Sequence, residues 1–235
     1  MLVAWACMFL SVTALADTLV VTGVNNNFGE NTYLTETGVD TATYAGEGDI
    51  ELDGTTARTA FCVAIFVDIL IGQTYNTSLE DIAAVNNGGR VGWLLDDELP
   101  QLPISGSGVL GTAAQQGAGL QMAIWDIVND NGDGFSSGNI QAASNTDPTA
   151  LADAQLFEAA SLGKSADAWV YYNTDPTTGA VAQTLMGFVA LTDGGPIEAT
   201  PEPSTFGVVS LGLVMAGLAL RRQRSPAAVR IANCK

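Results

Sequence analysis

Short β-prone segments open the chain after residue 17. Three of them, Thr18–Thr22, Thr32–Thr35 and Thr41–Tyr44, are separated by the glycine and asparagine residues that are typical of turns. A longer run of β-branched and aromatic residues follows at Thr59–Leu70. Because such side chains favour strands, the first third of the chain predicts a sheet.

The apolar residues take a helical spacing from Ser78 onward. Ser78–Asp81 fits the cap of a helix, and Val91–Leu95 is an apolar stretch. Within Ala113–Val128, apolar residues recur at helical intervals, namely Leu120, Ile124 and Ile127. This part of the chain predicts a helical insertion.

A further helix is predicted from Asp147-Pro148 through Ala160, since proline is favoured in the first turn of a helix. Ala168–Tyr172 and Gln183–Leu191 then have the composition of strands that return to the sheet. We therefore expect an α+β domain, with a β-sandwich or barrel-like sheet that carries a helical insertion.

The N-terminal end has the pattern of a signal peptide. Met1–Leu10 is apolar, and Ala14-Leu15-Ala16 matches the small residues that precede a cleavage site. The apolar run is shorter than the roughly 20 residues that span a bilayer. We expect a signal peptide over residues 1–16, cleavage after Ala16, and an exported globular domain over residues 17–200.

The C-terminal end combines three features in a fixed order: an acidic residue between two prolines, an uncharged apolar run, and arginines. They are Pro201, Glu202 and Pro203, then Phe206–Leu220, then Arg221 and Arg222. The apolar run predicts a transmembrane helix over 206–220, with the arginines and a coda over 225–235 held in the cytoplasm. An ordinary single-pass anchor explains the helix and the arginines but leaves the proline pair unexplained.

This tail resembles the PEP-CTERM sorting signal of Gram-negative, exopolysaccharide-forming bacteria, over Pro201 to Arg224. The resemblance implies recognition by an exosortase, transient insertion in the inner membrane, and delivery to the cell surface or the extracellular biofilm matrix. It also makes exopolysaccharide a candidate ligand of the exported domain.

Composition excludes several classes of function. The net charge is −17 and histidine is absent. Nucleic acid is therefore not an expected partner, and catalysis that depends on a histidine base or ligand is removed. We expect a domain that is not an enzyme and holds no cofactor or metal.

Two short motifs carry the remaining candidate chemistry. Phe61-Cys62-Val63 lies in the apolar run of the first third, and the predicted helix contains Leu120-Gln121-Met122-Ala123-Ile124-Trp125. Together they resemble the thioester domains of bacterial surface proteins. The resemblance implies that Cys62 supplies the thiol and Gln121 the acyl group, and that the thioester acylates a surface amine or hydroxyl ligand. Trp125, one helical turn beyond Gln121, would keep water from the bond.

The same residues have a structural explanation, in which Cys62 is a core residue of a strand and the glutamine lies on an amphipathic helix. In either case we expect Cys62 and Gln121 to lie close together. The apolar run needs a cover, the helix provides an apolar stripe, and a buried amide at that seam needs partners.

A third motif, Asn129–Gly134, places oxygen side chains at alternate positions before a glycine, as a calcium loop of the EF-hand type does. The glutamate that completes such a loop is missing, because Ile140 stands at its position. A turn that ends the preceding helix explains the same residues.

Two functions follow from the sequence. The first is a non-enzymatic protein of the cell surface or biofilm matrix, sorted through the C-terminal signal. The second is a covalent adhesin with an internal thioester between Cys62 and Gln121.

Overall fold

The computed structural model describes residues 17–36, 38–54, 56–65, 67–102 and 110–187. Seven strands form one sheet: β1 (Asp17–Glu36), β2 (Val39–Leu52), β3 (Thr56–Cys62), β4 (Thr74–Glu80), β5 (Ile140–Ala142), β6 (Trp169–Thr174) and β7 (Leu185–Gly187). The helices are α1 (Gly88–Trp93), α2 (Ala113–Asp130) and α3 (Pro148–Ala160), with a π-helical turn at Leu94–Glu98 and 3-10 turns at Ile82–Ala84 and Leu99–Gln101.

The sheet closes on itself. Its strand order is β2-β3-β7-β6-β4-β1-β5, and β1 also pairs with β2. Six strands therefore form a ring in which every pairing is antiparallel. The seventh strand, β5, pairs with the C-terminal end of β1, also antiparallel. The expected α+β domain with a barrel-like sheet is confirmed.

Each face of the sheet has its own apolar cluster. Residues on the inner face come from all six strands of the ring and the loop before β7: Leu19, Val21, Ile50, Ala60, Tyr75, Tyr171, Ala182 and Leu185. The outer face packs against the helices, through side chains such as Phe61, Val170 and Met186 against Leu120 and Ile124 of α2. The domain therefore has two apolar cores, one on each face of the sheet.

Helix α2 is positioned by a cap and by two glycines. Thr112 and Gln115 form a capping box, in which the Gln115 amide oxygen accepts a hydrogen bond from Thr112 N at 2.9 Å. A Cβ atom at Gly117 would lie 2.5 Å from the carbonyl carbon of Phe28, and one at Gly119 would lie 2.7 Å from the Cβ of Asp153. The helix is therefore packed directly against β1 on one side and α3 on the other.

The structure corrects four details of the sequence prediction. The first two short strands are one continuous strand, β1, and the third is part of the longer β2. The strand expected over Thr59–Leu70 ends at Cys62, which pairs with Leu185, the first residue of β7. The strand predicted from Gln183 begins two residues later. Ser78–Asp81 belongs mainly to β4, and Asp81 caps only a 3-10 turn.

The helices of the insertion agree with the prediction, α3 in both bounds and α2 to within two residues. Within the described ranges, no helix is long and apolar enough to cross a bilayer. The predicted signal peptide at residues 1–16, the predicted membrane helix at 206–220 and the coda at 225–235 lie outside the described residues.

Candidate functional site

Cys62 is the last residue of β3, at the point where the chain leaves the ring. It pairs with Leu185 of β7, and the next residue continues the contact, since Val63 N donates to Thr184 O at 3.0 Å. Its cross-strand partner belongs to the inner cluster, and Cys62 itself packs against both clusters. The cysteine thus lies at one end of the barrel interior.

Gln121 meets Cys62 from the outer face. This glutamine, in the middle of α2, is buried. Its Oε1 accepts a hydrogen bond from Cys62 N at 3.1 Å, and its Nε2 donates to Cys62 O at 2.7 Å. The expected contact between Cys62 and Gln121 is therefore present, and it is made with the main chain of the cysteine. The side-chain amide takes the place of a neighbouring strand at the end of β3.

Gln183 is a site residue that sequence reasoning missed. It is 2% exposed and precedes β7 by two residues. It lines the same cavity as Cys62, it lowers the pKa of the Cys62 thiol, and its Oε1 is buried without a hydrogen-bond partner. The one signal in the sequence is a lone amide two residues before the apolar pair Leu185-Met186, which gives no hint that the amide lies near Cys62.

The Cys62 thiol is poorly ionised in this setting. Burial raises its pKa to about 11, and the hydrogen bond from Gln183 offsets only part of that effect. A thiol of this kind is a weak nucleophile toward external reagents at neutral pH, because the thiolate is the reactive form. The rate of a reaction with a group already held beside the sulfur is less limited by this high pKa, because the effective concentration of such a group is high.

A cavity of about 250 Å³ opens beside this group. Cys62, Trp125 and Gln183 line it, together with Ile50 from the barrel interior and Asp68 and Ile69 from the loop after β3. The Trp125 ring is 2% exposed, and its Nε1 is buried without a partner. Trp125 therefore lines the cavity that contains the cysteine.

The sorting residues form the second candidate site. Pro201, Glu202, Pro203, Arg221 and Arg222 lie outside the described residues, so the structure adds nothing to their prediction. Comparison with known proteins does. The PEP-CTERM protein-sorting motif matches residues 199–224, which include all five. No curated protein and no solved structure matches the chain.

The chain therefore carries a PEP-CTERM signal, as the sequence predicted. That signal marks it for export and for membrane-associated sorting to the cell surface by an exosortase.

Proposed function

We propose that this chain is a non-enzymatic protein of the cell surface or biofilm matrix, whose barrel is the part exposed to the exterior. The observation that carries the proposal is the sorting motif at residues 199–224. In this proposal the apolar run Phe206–Leu220 holds the chain in the inner membrane until the exosortase acts at the motif. The acidic charge of the exported part suits a hydrated matrix rather than a nucleic-acid surface.

Substitution of the acidic residue between the two prolines tests this proposal. In a host that has the exosortase, we expect Glu202→Ala to leave the full-length chain in the inner membrane fraction, as judged by immunoblot of fractionated cells. Glu198→Ala is the matched control, because it makes the same substitution just before the motif. Equal processing of both variants and the parent would refute the proposed role of the motif.

The second candidate function is covalent attachment through an internal thioester of Cys62. It is favoured by the convergence of the Cys62 thiol, the Gln183 amide and the Trp125 ring at one cavity, with the Gln121 amide on the main chain of the same cysteine. In this reaction the thiol sulfur attacks the side-chain carbonyl carbon of a glutamine, the C–N bond breaks, and ammonia leaves with the thiol proton. The resulting thioester can then transfer the acyl group to an amine or hydroxyl of a surface ligand, which frees the thiol.

The contacts distinguish two acyl donors. Gln121, the donor implied by the sequence, uses both of its polar atoms on the main chain of Cys62. Gln183 lines the same cavity as the Cys62 thiol and has an amide oxygen without a partner. We therefore assign Gln183 as the preferred donor and Gln121 as the residue that holds the end of β3 in place.

Intact mass of the purified chain tests this second candidate. A thioester lowers the mass by one ammonia relative to the Cys62→Ala variant, after correction for the substitution, and methylamine adds to the donor glutamine. We expect Gln183→Met to abolish both effects, and peptide mapping to place the methylamine on residue 183. Methylamine on residue 121 would restore Gln121 as the donor. A parent mass without the loss of ammonia, together with a free Cys62 thiol, would eliminate the thioester.

A further inference from the structure

Three carboxylates converge where α2 ends. Asp126 and Asp130 are one helical turn apart on the same side of the helix, and Asp133 lies in the loop that follows. Ligand oxygens of the three residues lie within 4.8 Å of one another. Asp126 is fully buried and Asp130 is 9% exposed, so two of these charges are largely withdrawn from water.

The loop after α2 is folded to hold this group. Asn131, Gly132 and Gly134 have φ values of 65°, 72° and 89°, in the left-handed region that lets the chain reverse direction. Backbone N–H groups then return to the helix end. Gly134 N donates to Asp126 Oδ2 at 3.1 Å, and Ile140 N donates to Asp130 Oδ2 at 2.7 Å. Such hydrogen bonds fix the direction of carboxylates that bind a metal.

A fourth carboxylate, from a different helix, lies beside Asp126. Glu158 of α3 is 7% exposed, and its carboxyl group lies against that of Asp126. Glu158 Oε1 and Asp126 Oδ1 are both buried without a hydrogen-bond partner. Carboxylate oxygens only accept hydrogen bonds, so two that face each other in the interior need a cation or a proton between them.

The one guanidinium beside this group does not supply that cation. Arg90 donates to the carbonyl oxygens of Asn131, at 2.7 Å, and Glu158, at 3.2 Å, and to the Ser161 hydroxyl. It offsets part of the charge of Glu158 from a distance. One positive charge against four carboxylates leaves a local excess of negative charge at a buried position.

We propose that Asp126, Asp130 and Asp133 bind a calcium ion, whose charge also offsets that of the buried Glu158 carboxylate beside Asp126. Calcium bonds to oxygen at about 2.3–2.6 Å, so ligands on opposite sides of one ion are separated by up to about 5 Å, and ligand oxygens within 4.8 Å of one another fit that limit. Magnesium requires near-ideal octahedral geometry and dehydrates reluctantly, so a site built of protein carboxylates suits calcium better. An exported domain also meets calcium at the millimolar concentrations that weak extracellular sites use.

This site differs from the calcium loop considered from the sequence. Two asparagines of that motif are used otherwise: Asn129 Nδ2 donates to Trp125 O, and Asn131 Oδ1 accepts from Asn87 Nδ2. The proposed ligands instead combine the two aspartates of the helix and the aspartate of the loop. The EF-hand order of ligands is therefore not followed, and Asp126 lies outside the motif.

Thermal unfolding of the full chain in detergent tests the proposal. We expect about 10 mM calcium to raise the midpoint by roughly 5–10 °C relative to EDTA, the effect of about a hundredfold excess over the dissociation constant. Magnesium at the same concentration should give a much smaller shift. Asp133→Asn removes an exposed ligand without disturbing the core, and should abolish most of the calcium shift.

The matched control is Asp97→Asn, which neutralises an exposed aspartate of the π-helical turn and should leave the shift intact. Flow dialysis with radioactive calcium should give one ion bound per parent chain and a loss of affinity of at least about tenfold in Asp133→Asn. A shared proton between Asp126 and Glu158 predicts no calcium shift, and that result would overturn the proposal. Equal loss of the shift in both variants would also overturn it, since it would indicate general screening of acidic charge.

Discussion

The two glutamines beside Cys62 are bonded in opposite ways. Gln121, on the outer face, gives both polar atoms of its amide to the main chain of Cys62. Gln183 lines the cavity beside the Cys62 thiol and leaves its Oε1 without a partner. Two equally buried glutamines therefore differ in role: the amide of Gln121 holds the main chain in place, whereas the amide oxygen of Gln183 has no hydrogen bond. At this one cysteine, Gln121 therefore contributes to the stability of the fold, and Gln183 is the glutamine available for the proposed reaction.

The largest expected effect comes from Gln121→Met, which keeps the length of the side chain and removes both hydrogen bonds. It leaves the N–H and C=O of Cys62 unsatisfied in the interior, at a cost of about 1–3 kcal/mol for each group. We expect the free energy of unfolding to fall by roughly 2–5 kcal/mol in urea denaturation. A loss below about 1 kcal/mol would contradict the structural role of Gln121.

The second effect is a loss of stability at alkaline pH. The pKa of the Cys62 thiol is raised from the ordinary value of 9.0 to about 11 in the folded chain. The unfolded chain therefore releases the thiol proton first, and folding stability falls as pH rises between these values. In a Gln183→Met background, where the thiol stays free, we expect a slope steeper by about 1 kcal/mol per pH unit near pH 10 than in Cys62→Ala Gln183→Met.

Parallel slopes in the two proteins would mean that Cys62 titrates alike in the folded and unfolded chains. Tyrosines and lysines titrate in both proteins equally, so the difference between the slopes isolates the thiol.

The smallest effect is expected for Gln183→Met in a Cys62→Ala background, where no thioester can form. It removes a buried amide whose oxygen has no partner, and it restores a similar apolar volume, so the change in the free energy of unfolding should stay below about 1 kcal/mol. Urea denaturation beside Gln121→Met makes the comparison direct. If Gln183→Met were the more damaging substitution, the assignment of the two glutamines would have to be reversed.

Local signals account for the parts of the fold that the sequence predicted well. Asp147 accepts hydrogen bonds from Thr149 N and Ala150 N, and Pro148 follows it, so both the cap and the first turn of α3 are encoded by adjacent residues. The contact between Cys62 and Gln121 was also predictable, because an apolar strand and a helix with one buried amide leave few ways to satisfy that amide.

Tertiary pairing accounts for the errors. Ser78–Asp81 has the local pattern of a helix cap, but Ser78 and Leu79 pair with Tyr172 and Tyr171 of β6, and the ladder prevails over the local preference. The role of Gln183 was hidden for the same reason. Gln183 lies near Cys62 only because β7 pairs with β3, and these strands are far apart in the sequence.

The position of β7 also determines when this protein can fold. The strand is the last of the ring in chain order, yet it fills the gap between β3 and β6. The ring therefore stays open during synthesis until residue 187 is available, shortly before the sorting motif begins at residue 199. Long-range closure of this kind is slow relative to local helix formation. The barrel of this protein can therefore be completed only when almost all of the chain before the sorting motif is available.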